Sequence, residues 1–299
     1  MRPTIFIHTN PRQMMGALVS KYSMQRNSPN ADKFDVKLLH TDDHPFMAAH
    51  EGQEFLRDGE HRKWRMDDLQ SFTPLRFGPP TAMNYEGKAI VVDPDVFAVG
   101  DIYELLSRDM QGKAIMCRPR SGSKGMQGAL ATSVMLLDCA KLTHWQIERD
   151  FNEMFEDKRD YAEWITLNLE DRKTIGLFEN EWNDFDNLTP RTKLLHNTKR
   201  QTQPWKTGLP VDFTAASKKF KPLKPATWLK PLQRLVQGQA SETYLAHPDS
   251  KQEQYFFGLL RECLEKGVIT EEQVREEMRQ NHVRHDALEV AQRTPPLAA

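Results

Sequence analysis

The sequence predicts an α/β protein on a mostly parallel sheet flanked by helices, with a helical extension at the C-terminal end. Three observations carry this expectation. Residues 4–39 read strand, helix, strand at a separation that suits a parallel crossover unit. Residues 88–92 hold the unbroken apolar run Ala89-Ile90-Val91-Val92, the mark of a strand buried on both faces. From residue 250 onward the pattern is helical, with a helix start marked at Thr270.

Each element has its own justification. Residues 4–8 are β-branched and aromatic and form the first strand. Thr9-Asn10-Pro11 is a loop, and residues 12–26 read as an amphipathic helix, with Pro11 near its start and Asn10 as its cap. Residues 34–39 are the second strand. Residues 48–70 are strongly charged and weakly patterned and read as a loop with a helical piece. Pro79 and Pro80 interrupt the apolar residues of 75–84 and leave that structure open. After the strand at 88–92 come Asp93-Pro94-Asp95, an apolar segment at 96–99, a helix at 102–109 and a strand at 114–117. A Gly/Ser/Lys-rich loop at 121–128 precedes a strand at 133–137 and helices at 141–155 and 160–168. A short strand at 193–195 leads into His196 and Gln203-Pro204-Trp205. Residues 206–232, rich in proline and lysine, read as a wrapping loop. The tail reads as a helical hairpin: 250–266 stopped by Gly267, then a capping box at Thr270-Glu271-Glu272-Gln273, with the last six residues frayed. Residues 1–205 therefore form the principal domain and 206–299 the extension.

Composition narrows the function classes. With 299 residues, 38% hydrophobic and 28% charged, the chain is an ordinary soluble globular protein. Its 41 basic and 42 acidic residues give a net charge of -1, which argues against nucleic acid as the main partner. Cys117, Cys139 and Cys263 are odd in number and widely spaced, as free thiols in a reducing compartment would be. No signal-peptide pattern opens the chain, and no stretch reaches the roughly 18 apolar residues of a membrane span, so a cytoplasmic location is expected. The phosphate-loop and dinucleotide glycine motifs and the G-x-S-x-G elbow are absent, and His40-Thr41-Asp42-Asp43-His44 lacks the glutamate of a zincin helix.

The residues that point to chemistry are Asp93-Pro94-Asp95. On an extended backbone residues i and i+2 point to one side, so the two carboxylates converge at the C-terminal end of a buried strand, where open α/β sheets bind ligands. Their oxygens suit Mg²⁺ or Mn²⁺, ions that keep positions open for substrate phosphates. A lone D-x-D is a weak signal, because solvated carboxylates at strand ends are common.

Further residues accompany it in a fixed order. Ile5-Phe6-Ile7-His8-Thr9-Asn10 is followed by Gly16-Ala17-Leu18-Val19, Arg76 lies upstream of Asp93, and Ile90-Val91-Val92-Asp93-Pro94-Asp95-Val96 leads to Gly100-Asp101-Ile102. Then come Ser133-Val134-Met135-Leu136-Leu137 and Leu194-Leu195-His196 with Gln203-Pro204-Trp205. In this order residues 4–205 resemble glycosyltransferase family 8 and its relatives, the retaining GT-A enzymes that include glycogenin. The resemblance implies a GT-A fold, a nucleotide-sugar donor (UDP-linked), and Mn²⁺ or Mg²⁺ held by Asp93, Asp95 and His196. It also implies that Thr9, Asn10 and Arg12 hold the nucleoside and that Arg76 contacts the donor sugar or diphosphate.

The departures bear on the acceptor and the diphosphate. Gln203 stands where the family has lysine before Pro-Trp, which leaves Lys199, Arg200 or Lys206 to supply the charge. Ala131-Thr132-Ser133 replaces the family's Asn-Ala-Gly, and Asp160, Tyr161 and Glu163 occupy the region of its Asp-Gln-Asp. Asp160 and Glu163 are candidates for a carboxylate beside the anomeric carbon. Trp205 is a candidate for stacking on a sugar, with core packing as the alternative. The acceptor stays open between a glycan, a protein and a small molecule, as does homo-oligomerisation. The basic segment 218–224 reads as a solvated loop, with an anionic lipid or acceptor as the alternative. Two rivals remain: a nucleotidyltransferase, against which the lack of a Gly-rich loop after the first strand counts, and a non-catalytic sugar-nucleotide- or glycan-binding module, which the altered segments keep open.

Overall fold

The computed structural model describes residues 1–120, 128–212 and 243–298. The basic segment 218–224, nearly all of the loop at 121–128 and most of the wrapping loop at 206–232 lie outside the described residues. β1 (Thr4–Thr9) is buried at every position. It runs parallel to β2 (Asp35–His40) on one side and to the strand Lys88–Val92 on the other, and α1 (Met14–Arg26) makes the crossover from β1 to β2.

α1 differs from the amphipathic helix expected. Met15, Ala17, Val19, Ser20, Tyr22, Ser23 and Met24 are all buried, because one side of the helix faces the sheet and the other is covered by the helix Ser250–Glu265. Tyr22 and Arg26 reach across to the Glu262 carboxylate at 2.7 Å each. Asn10 does not cap the turn that follows it; its backbone is extended and its side chain makes no capping bond.

The charged stretch 48–70 is not a loop with a helical piece. It contains an antiparallel hairpin, β3 (Glu54–Arg57) and β4 (Glu60–Lys63). The turn residues Asp58 and Gly59 have φ of 54° and 71°, the two positive values of a type I′ hairpin turn, for which Asp-Gly is a favoured pair. The apolar alternation is faint because only Phe55 of these two strands is buried.

β5 (Lys88–Val92) is followed by the short strand β6 (Val96–Ala98), then β7 (Ile115–Pro119), β8 (Leu130–Asp138) and β9 (Ile175–Leu177). The main sheet has the order β2-β1-β5-β8-β7-β9, and β8 is the strand that runs against the others. β10 (Asp184–Phe185), β11 (Leu194–His196) and β6 form a second small sheet in which His196 pairs with Val96. That register brings His196 next to the Asp93-Pro94-Asp95 turn. The expected mixed, mostly parallel sheet flanked by helices is thus present.

The expected helices at 102–109, 141–155 and 160–168 are shorter: Tyr103–Leu106, Ile147–Asn152 and Tyr161–Ile165. Gln146 breaks the second with an extended backbone, and its N–H bonds the Asp150 carboxylate at 3.0 Å to start the helix late. A positive φ of 58° at Leu167 ends the third.

The extension has the helices Ser250–Glu265, Glu271–Arg279 and Ala287–Arg293, not a hairpin, and the capping box at Thr270 forms as expected. They share a cluster with Met15, Val19, Phe97 and Trp205. The tail docks instead of fraying, since Leu297 packs on this cluster and lies against Gly258. Among the described residues no helix is long and apolar enough to cross a membrane. The three cysteines are buried and unpaired.

Gly16 marks the tightest approach of α1 to the Asp93-Pro94-Asp95 turn. A Cβ there would lie 2.8 Å from the Pro94 carbonyl oxygen, a backbone atom that cannot rotate away. Gly16→Ala is expected to destabilise the fold by about 1–3 kcal/mol, although alanine favours helix. A denaturant midpoint equal to or above that of the wild type would remove this contact from the account.

Candidate functional site

β5 carries the apolar run into the sheet and delivers Asp93 at its end, where the Asp93 N–H bonds the Ser133 carbonyl of β8 at 3.0 Å. The Asp93 side chain is buried. Arg76 grips it from a 3₁₀ turn, with Nε and Nη2 to Oδ1 at 3.0 and 2.7 Å and Nη2 to Oδ2 at 2.6 Å. The remaining Arg76 nitrogen, Nη1, donates to Thr132 Oγ1 at 2.8 Å, and that hydroxyl donates to the Ile165 carbonyl at 2.7 Å. His8, at the end of β1, places Nε2 2.9 Å from Asp93 Oδ1. Burial acts to raise the Asp93 pKa, but Arg76 and His8 outweigh it and hold the carboxyl well below the usual carboxylate range. Burial lowers the His8 pKa despite the attraction of Asp93, so this imidazole is neutral at physiological pH.

Asp95 is held differently. Gln203 Nε2 donates to its Oδ2 at 3.1 Å. Its Oδ1 lies 3.2 Å from His196 Nε2 and is buried without a hydrogen-bond partner. On the far side of the ring, His196 Nδ1 is 2.8 Å from Asn183 Oδ1, and Asn183 Nδ2 donates to Ser133 Oγ at 3.0 Å. Burial lowers the His196 pKa, but the charge of Asp95, with Asp93 and Asp186 behind it, carries it above the ordinary value.

The residues fit a divalent cation. Asp93, Asp95 and His196 each offer a ligand atom, and these atoms lie within 4.8 Å of one another. The unpartnered Asp95 Oδ1 is an acceptor awaiting positive charge. Carboxylate oxygens suit Mg²⁺ and Mn²⁺, and the imidazole adds affinity for the transition ion. Asp93 shares its lone pairs with Arg76.

These groups line a cavity of about 420 Å³ together with Arg76, Arg120, Arg200 and Phe185. The volume is that of a small-molecule site, and three guanidinium groups on its wall suit phosphate oxygens.

The other residues singled out from the sequence lie elsewhere. Thr9 and Asn10 are buried beside the cavity, not on its wall. Asn10 Nδ2 donates to the Asp68 carbonyl at 3.0 Å and to Ser71 Oγ at 2.9 Å, which ties down the wall segment carrying Leu69, Gln70 and Phe72. Arg12 lies 3.6 Å from Asp212 and 3.9 Å from Asp67. Lys206 is fully buried and donates to Asp212 Oδ2 at 2.8 Å. Burial lowers its pKa, with Asp212 opposing. Lys199 is exposed and off the wall, so of the three cations proposed for the diphosphate only Arg200 lines the cavity. Trp205 packs in the core, stacked on Phe256 with ring centroids 4.8 Å apart. Asp160 caps its helix and also accepts from the Gly59 N–H at 2.8 Å, while Glu163 is exposed; neither lines the cavity.

Sequence reasoning missed His8, Asn183 and the anchoring role of Gln203. Only Gln203 had drawn notice, as a departure from the lysine expected there. Asn183 lies in a stretch with no pattern to mark it. Asn183→Leu is expected to weaken Mn²⁺ binding by about 10–100-fold, whereas Asn183→Asp keeps the acceptor for Nδ1–H and retains it. A manganese titration read by electron paramagnetic resonance checks both; equal affinities would discard Asn183 as an orienting group.

Two carboxylates and an imidazole, with Asp93 and His196 buried and Asp95 half-buried, thus stand at the C-terminal edge of a mixed sheet beside three arginines, a set that could hold a metal ion. Solved structures similar to the chain are glycosyltransferases. The galactosyltransferase LgtC, in complex with donor and acceptor sugar analogs, shares 13% identity over 68% of this chain and 89% of its own, with a TM-score of 0.47. The glycosyltransferase GlyE of Streptococcus pneumoniae shares 16% identity over 90% of this chain and 64% of its own, with a TM-score of 0.49. Mouse xyloside xylosyltransferase 1 shares 11% identity over 66% of this chain and 97% of its own, with a TM-score of 0.42. No family model and no curated protein matches the chain.

Proposed function

We propose that this protein is a metal-dependent glycosyltransferase that moves a sugar, with retention of configuration, from a UDP-linked donor to an acceptor hydroxyl. The observation that carries the reading is the unpartnered Asp95 Oδ1, 3.2 Å from His196 Nε2 inside an arginine-lined cavity. A divalent ion on Asp93, Asp95 and His196 supplies, when bound, charge neutralisation of the diphosphate leaving group. The chain's own groups do the rest. Arg120 and Arg200 bind and orient the phosphate oxygens, and Arg76 holds the Asp93 carboxylate in place. Gln203 fixes one Asp95 oxygen and leaves the other for the ion. The buried Asp93–Arg76 pair resists reorganisation, so rate arises from positioning and preorganised charge, with no strong external base. Three buried free thiols fit a reducing, cytoplasmic setting.

The test is UDP release from UDP-sugars with and without Mn²⁺, in the wild type and in Asp95→Asn. Turnover that needs both the metal and Asp95 supports the transferase. One observation favours a second reading, a non-catalytic nucleotide-sugar-binding module: Arg76 already engages both Asp93 oxygens. Tight donor binding with no turnover under any metal would select that reading.

A further inference from the structure

We propose that the β3–β4 hairpin and the wall of the cleft enclose a second subsite, one that binds the phosphate or carboxylate group of an acidic substrate. A cavity of about 140 Å³ lies among the hairpin, Tyr161 and residues 68–71. Its size suits one anionic group and not a nucleoside. Four cations line it, Arg57, Arg62, Lys63 and Arg65, against the single carboxylate of Asp68. Asp68 Oδ1 is taken by the Gln70 N–H at 2.7 Å, and Arg65 is paired with Asp67 and Glu51 at 3.2 and 3.6 Å. Arg57, Arg62 and Lys63 have no carboxylate partner among the described residues.

The hairpin register makes this placement unusual. Phe55 is paired with Arg62, and Arg57 stands two residues beyond Phe55, so all three share one face. Phe55 is buried, which makes this the face turned inward. Arg57 is half-buried on this face, while Arg62 reaches solvent. The Arg57 guanidinium lies over the Tyr161 ring at 4.7 Å, and its Nε is buried with no hydrogen-bond acceptor. A buried guanidinium N–H without an acceptor is unfavourable unless a ligand completes it. A phosphate or carboxylate is the planar arginine's natural partner.

Gln70 lines both this cavity and the larger one, so the two are neighbours. The assignment to a substrate rests on the transferase reading: the sugar to be modified sits in the cleft and its acidic group sits here. Free phosphate acting as an effector would use the same chemistry.

The test is isothermal titration, without metal, using a hexose 6-phosphate and inorganic phosphate. Arg57→Gln is expected to weaken binding about tenfold or more, and Arg57→Lys less. Arg62→Gln, at an exposed position, is expected to weaken it in the same sense. Tighter binding of the hexose phosphate than of phosphate identifies an acceptor; equal binding identifies the free anion. Affinities unchanged in both Arg57→Gln and Arg62→Gln, or no binding to the wild type, would overturn the subsite. That failure leaves the metal-dependent donor reading standing, and absence of UDP-sugar turnover leaves Arg57-dependent phosphate binding standing.

Discussion

Asp95→Asn is expected to lower metal-dependent UDP-sugar turnover by about 10³-fold or more, since a metal at a developing diphosphate is worth several kcal/mol and each 1.36 kcal/mol is tenfold in rate. The cause is local. Asp95 contributes one anchored oxygen, held by Gln203, and one buried oxygen with no hydrogen-bond partner. The amide nearly matches the carboxylate in shape but carries no charge, so the fold is preserved while the cation loses a ligand. The expected pattern is a thermal midpoint close to that of the wild type, Mn²⁺ affinity lost, and UDP release near background. Full turnover in Asp95→Asn with Mn²⁺ present would remove the metal from the mechanism. Unfolding of the variant would instead make Asp95 a structural residue.

Arg76→Ala carries the largest expected stability effect, a loss of about 3–5 kcal/mol, because it leaves the Asp93 carboxylate buried without its counter-charge. The pH dependence follows from the lowered Asp93 pKa. A carboxyl whose folded pKa lies below its unfolded value, about 3.9, stabilises the fold above that value and loses the contribution as pH falls through the folded pKa. In the variant, burial without arginine pushes the carboxyl upward instead, so acidification lets it protonate in place. The gap between wild type and variant is therefore expected to narrow as pH falls toward the carboxylate range. Mn²⁺ is expected to restore part of the stability of Arg76→Ala at neutral pH, by binding the folded state and replacing the missing charge. Urea unfolding across pH, with and without Mn²⁺, measures both. A deficit of less than about 1 kcal/mol would put this pair in the class of weak surface bridges.

The legible parts of this protein are those written in local pattern. The apolar run of β5, the βαβ order around α1 and the Thr270 capping box all formed as expected. The hairpin at Glu54–Lys63 was legible in principle, through Asp58-Gly59, but its strands bury too little for alternation to show. α1 appears amphipathic only if one of its two covered faces is ignored, and the helix that covers it comes more than 200 residues later, at Ser250–Glu265.

Within the site the same division holds. Asp93 and Asp95 stood out because a two-residue spacing at a strand end is a local feature, His196 stood out only through the family resemblance, and the register of β11 on β6 brings the three together. Their partners did not stand out. Lys206 was a candidate for the diphosphate charge and Arg12 for the nucleoside, yet Asp212 holds the first and lies beside the second. Asp160 looks like a catalytic acid and is a helix cap.

The sequence by itself determined the strands β1, β2, β5 and β8 and the pair of carboxylates at the end of β5, because side-chain periodicity and burial act on neighbours along the chain. Only the tertiary structure decided which groups face one another: Arg76 on Asp93, Asn183 behind His196, Asp212 on Lys206, and Arg57 over Tyr161. The reason is physical. An ion pair or a buried hydrogen bond depends on distances of a few ångströms between segments far apart in sequence, and chain closure around the sheet sets those distances.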